Sequence, residues 1–333
     1  MTETVWSQRL LAVWRLGISE TGLAAVVCLA LALLPVLVSG YLIYILPQYM
    51  LYGVMAMSLA LLWGNAGILS IGQAGFFAIG GYTIGLCFRW FSIVNPAYAG
   101  LLLALTAGAV LAGLLGYFLF RAGVRSSYFV LVSLAISIMV EQIAVSQSQI
   151  TGGWNGMYID RMSLTFGPWL DVSLFDDAPM YYFVLTTVAI VYVLLRWLVG
   201  SKFGKVLAGI RENEDRAIAL GFDTSAYKTL AFMIAGALAS FAGALYGTHA
   251  AFVSPSLGNV QFSTEVVVWV AIGGRSSLLA GLLAAIIVAS LSNYLSALIP
   301  GYWPLVVGTI FILVIIFFRD GVAGALGRVR RRT

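Results

Sequence analysis

The chain reads as an all-α, polytopic membrane protein with about ten transmembrane helices and both termini in the cytoplasm. Three observations lead there. Hydrophobic residues make up 61% of the 333 and charged residues only 9%, against roughly a quarter charged in soluble domains. Apolar stretches long enough to cross a bilayer follow one another along most of the chain. The basic residues then sort to one side once those stretches are alternated.

The elements follow in order. Residues 1–21 form a short amphipathic segment with Arg9 and Arg15, suited to the membrane surface. No cleavable leader is expected, because the first apolar run is too long for a signal core. A span needs about 20 apolar residues. The expected spans are 22–46, 48–65, 70–91, 97–120, 127–148, 180–199, 229–251, 257–274, 278–299 and 303–318. Together they make one transmembrane domain over 22–318, followed by a basic tail at 319–333. Spans 48–65, 70–91 and 257–274 are the least regular. Each is open to being a broken or re-entrant helix, which a membrane tolerates only against protein or a water-filled cavity.

Placing both ends inside puts 16 of the 18 Lys and Arg residues on the cytoplasmic side and leaves only Arg89 and Arg161 outside. The net charge of +5 follows from that sorting. A basic membrane-facing surface accounts for it, with no nucleic-acid partner.

The segment "SIGQAGFFAIGGYTIGL", Ser70–Leu86, carries five glycines within an apolar run. Gly81 and Gly85 are spaced for close helix approach, as are Gly236, Ala239, Gly243 and Gly247.

Two loops interrupt the apolar pattern. The external one, 149–179, holds Gly152, Gly153, Asn155 and Gly156 as turn residues. It also holds four acids, Asp160, Asp171, Asp176 and Asp177, and the aromatics Trp154, Tyr158 and Trp169. Two readings fit: a landing surface for a solute-delivering partner, with Trp154, Asn155, Asp160, Asp176 and Asp177 as contacts, or a solvated cap with an aromatic anchor.

The internal loop, 200–228, is the most charged part of the chain. Arg211, Glu212, Asn213, Glu214, Asp215 and Arg216 precede Ala217, Ile218, Ala219, Leu220 and then Gly221. A short helix over this stretch, stopped by Gly221 in a left-handed cap, would fit a groove on a partner. The plainer reading is a solvated connector.

Catalytic chemistry is missing. There is no GxxxxGK[ST] phosphate loop, HExxH, CxxC or GxSxG, so the chain is not expected to be an enzyme or to hold a cofactor or metal. Cys28 and Cys87 both lie in apolar runs, and the lone His249 suits a packed helix end. Ionisable residues inside spans are costly and mark function by default. Glu141 and Glu265 qualify, with Gln73 and Asn293 as neutral additions. All four are candidates for a translocation pathway; the alternative is hydrogen-bonded glue between helices, worth about 0.6 kcal/mol per contact.

Four segments carry a resemblance. "GKVLAGIRENEDRAIALGFDTSAYKTLAFMIAGALASFAGALYG", Gly204–Gly247, resembles the cytoplasmic loop and following helix of bacterial ABC-transporter permeases of the branched-chain amino acid, urea and short-chain amide family. "GILSIGQAGFFAIGGYT", "TEVVVWVAIGGRSSLLAG" and "FFRDGVAG" resemble other parts of the same family. The resemblance implies a coupling helix, about Glu212–Gly221, that docks onto a cytoplasmic ATPase. It also implies a location in the cytoplasmic membrane and a set of partners. These are two ATPase subunits that carry ATP and magnesium, a second related permease forming a heterodimer, and a substrate-binding protein outside. "WVAIGGR", Trp269–Arg275, looks more like the urea and short-amide members. A secondary transporter or channel is the rival class, and a membrane scaffold a third.

Overall fold

A computed structural model describes residues 20–37, 40–90, 96–124, 126–166, 170–299, 301–302, 305–306, 308–309, 312 and 321. Arg9, Arg15, Trp169, most of the expected span 303–318 and nearly all of the tail lie outside the described residues.

In chain order the helices are α1 (Glu20–Leu37), α2 (Tyr41–Ala60), α3 (Gln73–Trp90), α4 (Pro96–Arg121), α5 (Ser126–Ser146) and the single turn α6 (Ser148–Thr151). They continue with α7 (Asp177–Gly200), α8 (Lys202–Glu212), α9 (Glu214–Ala219), α10 (Thr224–Ala250), α11 (Val260–Gly273) and α12 (Leu278–Leu298). Among the described residues, seven of them are long and apolar enough to cross a membrane: α1, α2 with its continuation to Ala66, α4, α5, α7, α10 and α12. Helix α3 and the 14-residue α11 fall outside that set. These are two of the three spans that looked least regular in sequence. Helix α3 runs unbroken for 18 residues, with the irregular backbone just before it, whereas the expected span 257–274 is interrupted at Asn259, whose extended backbone separates the Pro255–Gly258 turn from α11.

The third irregular span is corrected. The sequence reading ended one span at 46 and began the next at 48, on either side of Pro47. In the structure Pro47 lies inside α2, and the break falls at Gly40, where φ is +89°. A glycine adopts that backbone without a Cβ penalty. Pro47 is the seventh residue of α2, where it cannot donate to the Ile43 carbonyl, and the helix continues through it. At its other end α2 passes into a π-helical turn, Leu61–Ala66, capped by Gly67 in the left-handed region at φ +71°.

Helix α10 is the axis of the bundle, packed against α4, α3 and α2, while α2 also packs on α12 and α7. Small residues set the approach of α3 to α10. A Cβ on Gly80 would strike the Ser240 carbonyl, and one on Gly243 would strike the Phe77 carbonyl. Gly81 and Gly85 instead meet side chains of Val253, Met157 and Ile159 at one end of the bundle. Phe76, Phe129 and Phe232 fill the space beside this seam, with Phe120 stacked on Phe129 at 4.9 Å. The extended entry to α3 has its backbone satisfied by α5. Ser133 Oγ accepts from the Ile71 amide at 3.0 Å and Ser137 Oγ from the Gly75 amide at 2.9 Å. Backbone outside a helix survives in a membrane bundle only with such partners.

The long 149–179 loop carries strand structure that the sequence reading did not anticipate. β1 (Met157–Tyr158) pairs antiparallel with β4 (Phe252–Val253), just past the end of α10. β2 (Ser163–Phe166) and β3 (Leu170–Ser173) form a hairpin, with Ser163 opposite Ser173 and Phe166 opposite Leu170.

Candidate functional site

The charged loop folds into two helices, where one short helix was expected over Glu212–Gly221. Arg211 and Glu212 belong to the last turn of α8, and Asn213 breaks the chain with extended backbone. The break is made by chemistry local to Asn213. Its side-chain oxygen accepts from the Arg216 amide at 2.9 Å, satisfying an orphan donor of α9. Glu214 and Asp215 then occupy the first turn of α9, the end that favours negative charge.

Gly221 stops α9 as expected. Its φ is +87°, and its amide donates to the Ile218 carbonyl at 2.9 Å. The Phe222 amide donates to the Ala217 carbonyl at 3.1 Å. This pair of bonds is a Schellman motif. Asp223 at once caps α10, accepting from the Ala226 amide at 3.1 Å. The result is a stiff hook. Ala217 points inward, while Ile218 and Leu220 stand 54% and 71% exposed. The sequence reading placed Ile218 and Leu220 in the expected short helix but counted only Ala217 and Ala219 of this apolar stretch among its coupling residues. The signal was available, since two bulky aliphatic residues beside a helix-stopping glycine in a charged loop have no core to fill.

The hook is fastened to the bundle at two points. Lys228 Nζ, on a mostly buried side chain of α10, meets Glu214 Oε1 at 2.5 Å and lies 5.9 Å from the centre of the Phe120 ring. Arg211 donates from its guanidinium to the Gly64 carbonyl, within the π turn that ends α2. A Cβ on Gly64 would meet the Arg275 backbone, so the "GGR" turn between α11 and α12 closes on the same point.

At the opposite end, Trp154, Asn155, Asp160, Asp176 and Asp177 are all exposed, with Trp154 at 72%. They share that surface with Tyr158 and Phe175, also exposed. Asp177 pairs with Arg161 at 3.2 Å, and Arg161 also donates to the Phe175 carbonyl at 2.5 Å.

The four polar pathway candidates separate. Gln73 is sealed in the bundle at 1% exposure, accepting from Ser58 Oγ at 3.3 Å with its amide nitrogen unpartnered. Glu141 lies half-buried on α5 beside the Pro255–Gly258 turn. Glu265 and Asn293 come together. They line one cavity of about 230 Å³ between α2, α11 and α12, with Gln48, Tyr49, Tyr52 and Trp269.

A profile of the branched-chain amino acid transport system permease component matches residues 41–315. The chain belongs to that permease family. The match runs from the start of α2 past the end of α12, so hook, cavity and opposite surface all fall within it. The permease is 28% identical over 307 residues to the high-affinity branched-chain amino acid transport permease LivM of Salmonella typhimurium, covering 86% of this chain and 71% of that one. It is 26% identical over 264 residues to the probable LivM of Methanocaldococcus jannaschii, covering 70% and 75%. It is 23% identical over 200 residues to the autoinducer 2 import permease LsrC of Yersinia pestis, covering 54% and 56%. No solved structure matches the permease. Membership makes the permease a transport component of an ABC importer in the cytoplasmic membrane and not an enzyme, with ATPase and binding-protein partners implied.

Proposed function

We propose that this permease forms, with a second related permease, the membrane pathway of an importer for a branched-chain amino acid, urea or a short-chain amide. Two ATPase subunits, each holding ATP and magnesium, would grip the cytoplasmic end. A substrate-binding protein would dock on the outer surface around Trp154, Asn155, Asp160, Asp176 and Asp177. The branched-chain amino acid reading is supported by the names of the LivM relatives. The urea and amide reading is supported by the "WVAIGGR" segment alone.

The observation that carries the reading is the hook. Exposed Leu220 and Ile218 on a short helix closed by a Schellman motif and braced by Lys228 and Arg211 make a rigid apolar plug. Such a plug suits a hydrophobic groove on a partner, the usual mode for an amphipathic helix. An apolar anchor at the centre of an interface costs about 2 kcal/mol or more when lost.

The test is ATP-driven uptake by the complete importer in proteoliposomes with Leu220→Asp. The expected result is loss of ATPase binding and of uptake, with the permease still folded by its melting curve. Unchanged uptake in that variant would remove the docking role.

A further inference from the structure

The cavity between α2, α11 and α12 has a definite chemical character. Its floor is aromatic: Tyr52 stacks on Trp269 with ring centres 5.3 Å apart and planes 19° from parallel, and Tyr49 joins them. Its rim is polar, and part of its donor capacity is engaged within the protein. Gln48 Nε2 donates to the Tyr52 hydroxyl at 2.7 Å, and Asn293 Nδ2 donates to the Tyr41 hydroxyl at 3.1 Å. Glu265 Oε1 accepts from Gln261 Nε2 at 3.4 Å. The Tyr52 ring also stacks on Tyr246, with centres 5.9 Å apart.

Those bonds leave three acceptors facing the cavity, the Gln48 and Asn293 amide oxygens and the second Glu265 oxygen, beside the remaining N–H of each amide. Among the described residues no cationic side chain lines the cavity and Glu265 makes no ion pair. A carboxylate in an apolar bundle with no counter-charge is an expensive feature. A positive or donor-rich guest would offset that cost, and aromatic faces favour the same guest. The volume, about 230 Å³, is below the roughly 300–1,000 Å³ of drug-sized pockets and suits a small solute.

We propose that this cavity is a transit site that holds the nitrogen head of the solute, an ammonium or a primary amide, through N–H bonds to Glu265, Asn293 and Gln48. The aliphatic part of the solute, where there is one, lies against the aromatic floor. This rests on the importer reading above and assigns its solute chemistry.

The experiment measures KM and maximal rate for leucine, urea and acetamide in proteoliposomes of the complete importer. Glu265→Gln, Asn293→Leu and Gln48→Leu are compared with the unaltered chain. 4-Methylpentanoate, which keeps leucine's carboxylate and lacks its nitrogen, serves as competitor. If the solute carries an ammonium, Glu265→Gln raises KM by about tenfold or more, as loss of a charge-assisted bond requires. If it is a neutral amide, Glu265→Gln changes KM little, because glutamine keeps an acceptor oxygen, while Asn293→Leu and Gln48→Leu each raise it several-fold. Asn293→Ser provides a second, smaller change should the leucine variant fail to melt like the parent. Unchanged KM in all of these variants, or competition by 4-methylpentanoate as strong as by the transported solute, overturns the site. ATPase stimulation through the hook is recorded in the same samples. The importer reading fails if that stimulation is absent from the unaltered complex, whatever the cavity variants do.

Discussion

The guanidinium of Arg211 donates to the Gly64 carbonyl and so joins the last turn of α8 to the π-helical end of α2. Single π turns recur at functional sites because they widen the helix and free a carbonyl. Here the carbonyl is held by the element that precedes the hook. Helix α2 also contributes Gln48, Tyr49 and Tyr52 to the cavity. Arg211 therefore stands between the hook and the polar site. Arg211→Gln is expected to lower solute moved per ATP hydrolysed by roughly 2- to 30-fold, an effect of about 0.5–2 kcal/mol on coupling, while assembly with the ATPase persists. Paired uptake and hydrolysis measurements check this, and an unaltered ratio would sink it.

Gly221 carries the Schellman motif at φ +87°. A β-branched residue there pays about 1–2 kcal/mol for the left-handed backbone. Gly221→Val should weaken ATPase binding and hydrogen-exchange protection at Phe222, whereas Gly221→Asn should do much less, since asparagine tolerates that region. Equal behaviour of the two variants would show that the cap conformation is irrelevant to the hook.

The Lys228–Glu214 pair predicts an asymmetry. The Lys228 side chain is 11% exposed and that of Glu214 is 44% exposed. Removing the carboxylate strands a buried cation, while removing the cation leaves an anion that reaches water. Glu214→Gln should therefore destabilise the permease in detergent more than Lys228→Met, by about 1–3 kcal/mol for a stranded polar group. Thermal unfolding of the two variants measures the order, and the reverse order would contradict the pairing.

Close packing of α3 on α10 gives a steric prediction. Gly243→Val places three carbons where the Phe77 carbonyl lies. Overpacking costs about 1–3 kcal/mol, more where backbone must move. The expected outcome is a large drop in folded yield, with Gly209→Ala, which meets nothing within 4 Å, as the silent control.

Orientation is open to a direct check. With Cys28 and Cys87 replaced by serine, Asp160→Cys should react with an impermeant thiol reagent added outside intact cells. Asp215→Cys should react only after the membrane is opened. Labelling of both from one side would break the arrangement that places Arg89 and Arg161 outside and the other sixteen basic residues inside.

Much of this architecture is legible from residues alone, and the exceptions have physical causes. Long apolar runs gave spans such as 97–120 and 278–299 within a few residues of α4 and α12. The boundary set between 46 and 48 missed that a helix can continue through a proline at the loss of one backbone bond, while Gly40, at φ +89°, makes the actual bend. The split between α8 and α9 was hidden because Asn213 acts through a side-chain cap, and a charged run conceals such a cap. Glu265 and Asn293 stood out as polar residues in apolar helices. That they share a cavity with Tyr49, Tyr52 and Trp269 is a matter of helix rotation, which an all-round apolar sequence does not encode. Gln73 attracted notice for the same reason as Glu265, yet lies against Ser58 inside the bundle.

One consequence concerns α10. Its 27 residues extend about 40 Å at 1.5 Å per residue. Its first turns follow directly from the hook and hold Lys228, and just beyond its last turn β4 is laced to β1 beside Trp154 and Tyr158. On the proposed function, the faces that would meet the ATPase and the binding protein are thus mounted on one unbroken rod. A tilt imposed at either end is delivered to the other without any relay of side chains. By thermodynamic reciprocity, a binding protein that favours one tilt must change the ATPase's affinity by the same factor that the ATPase changes its own.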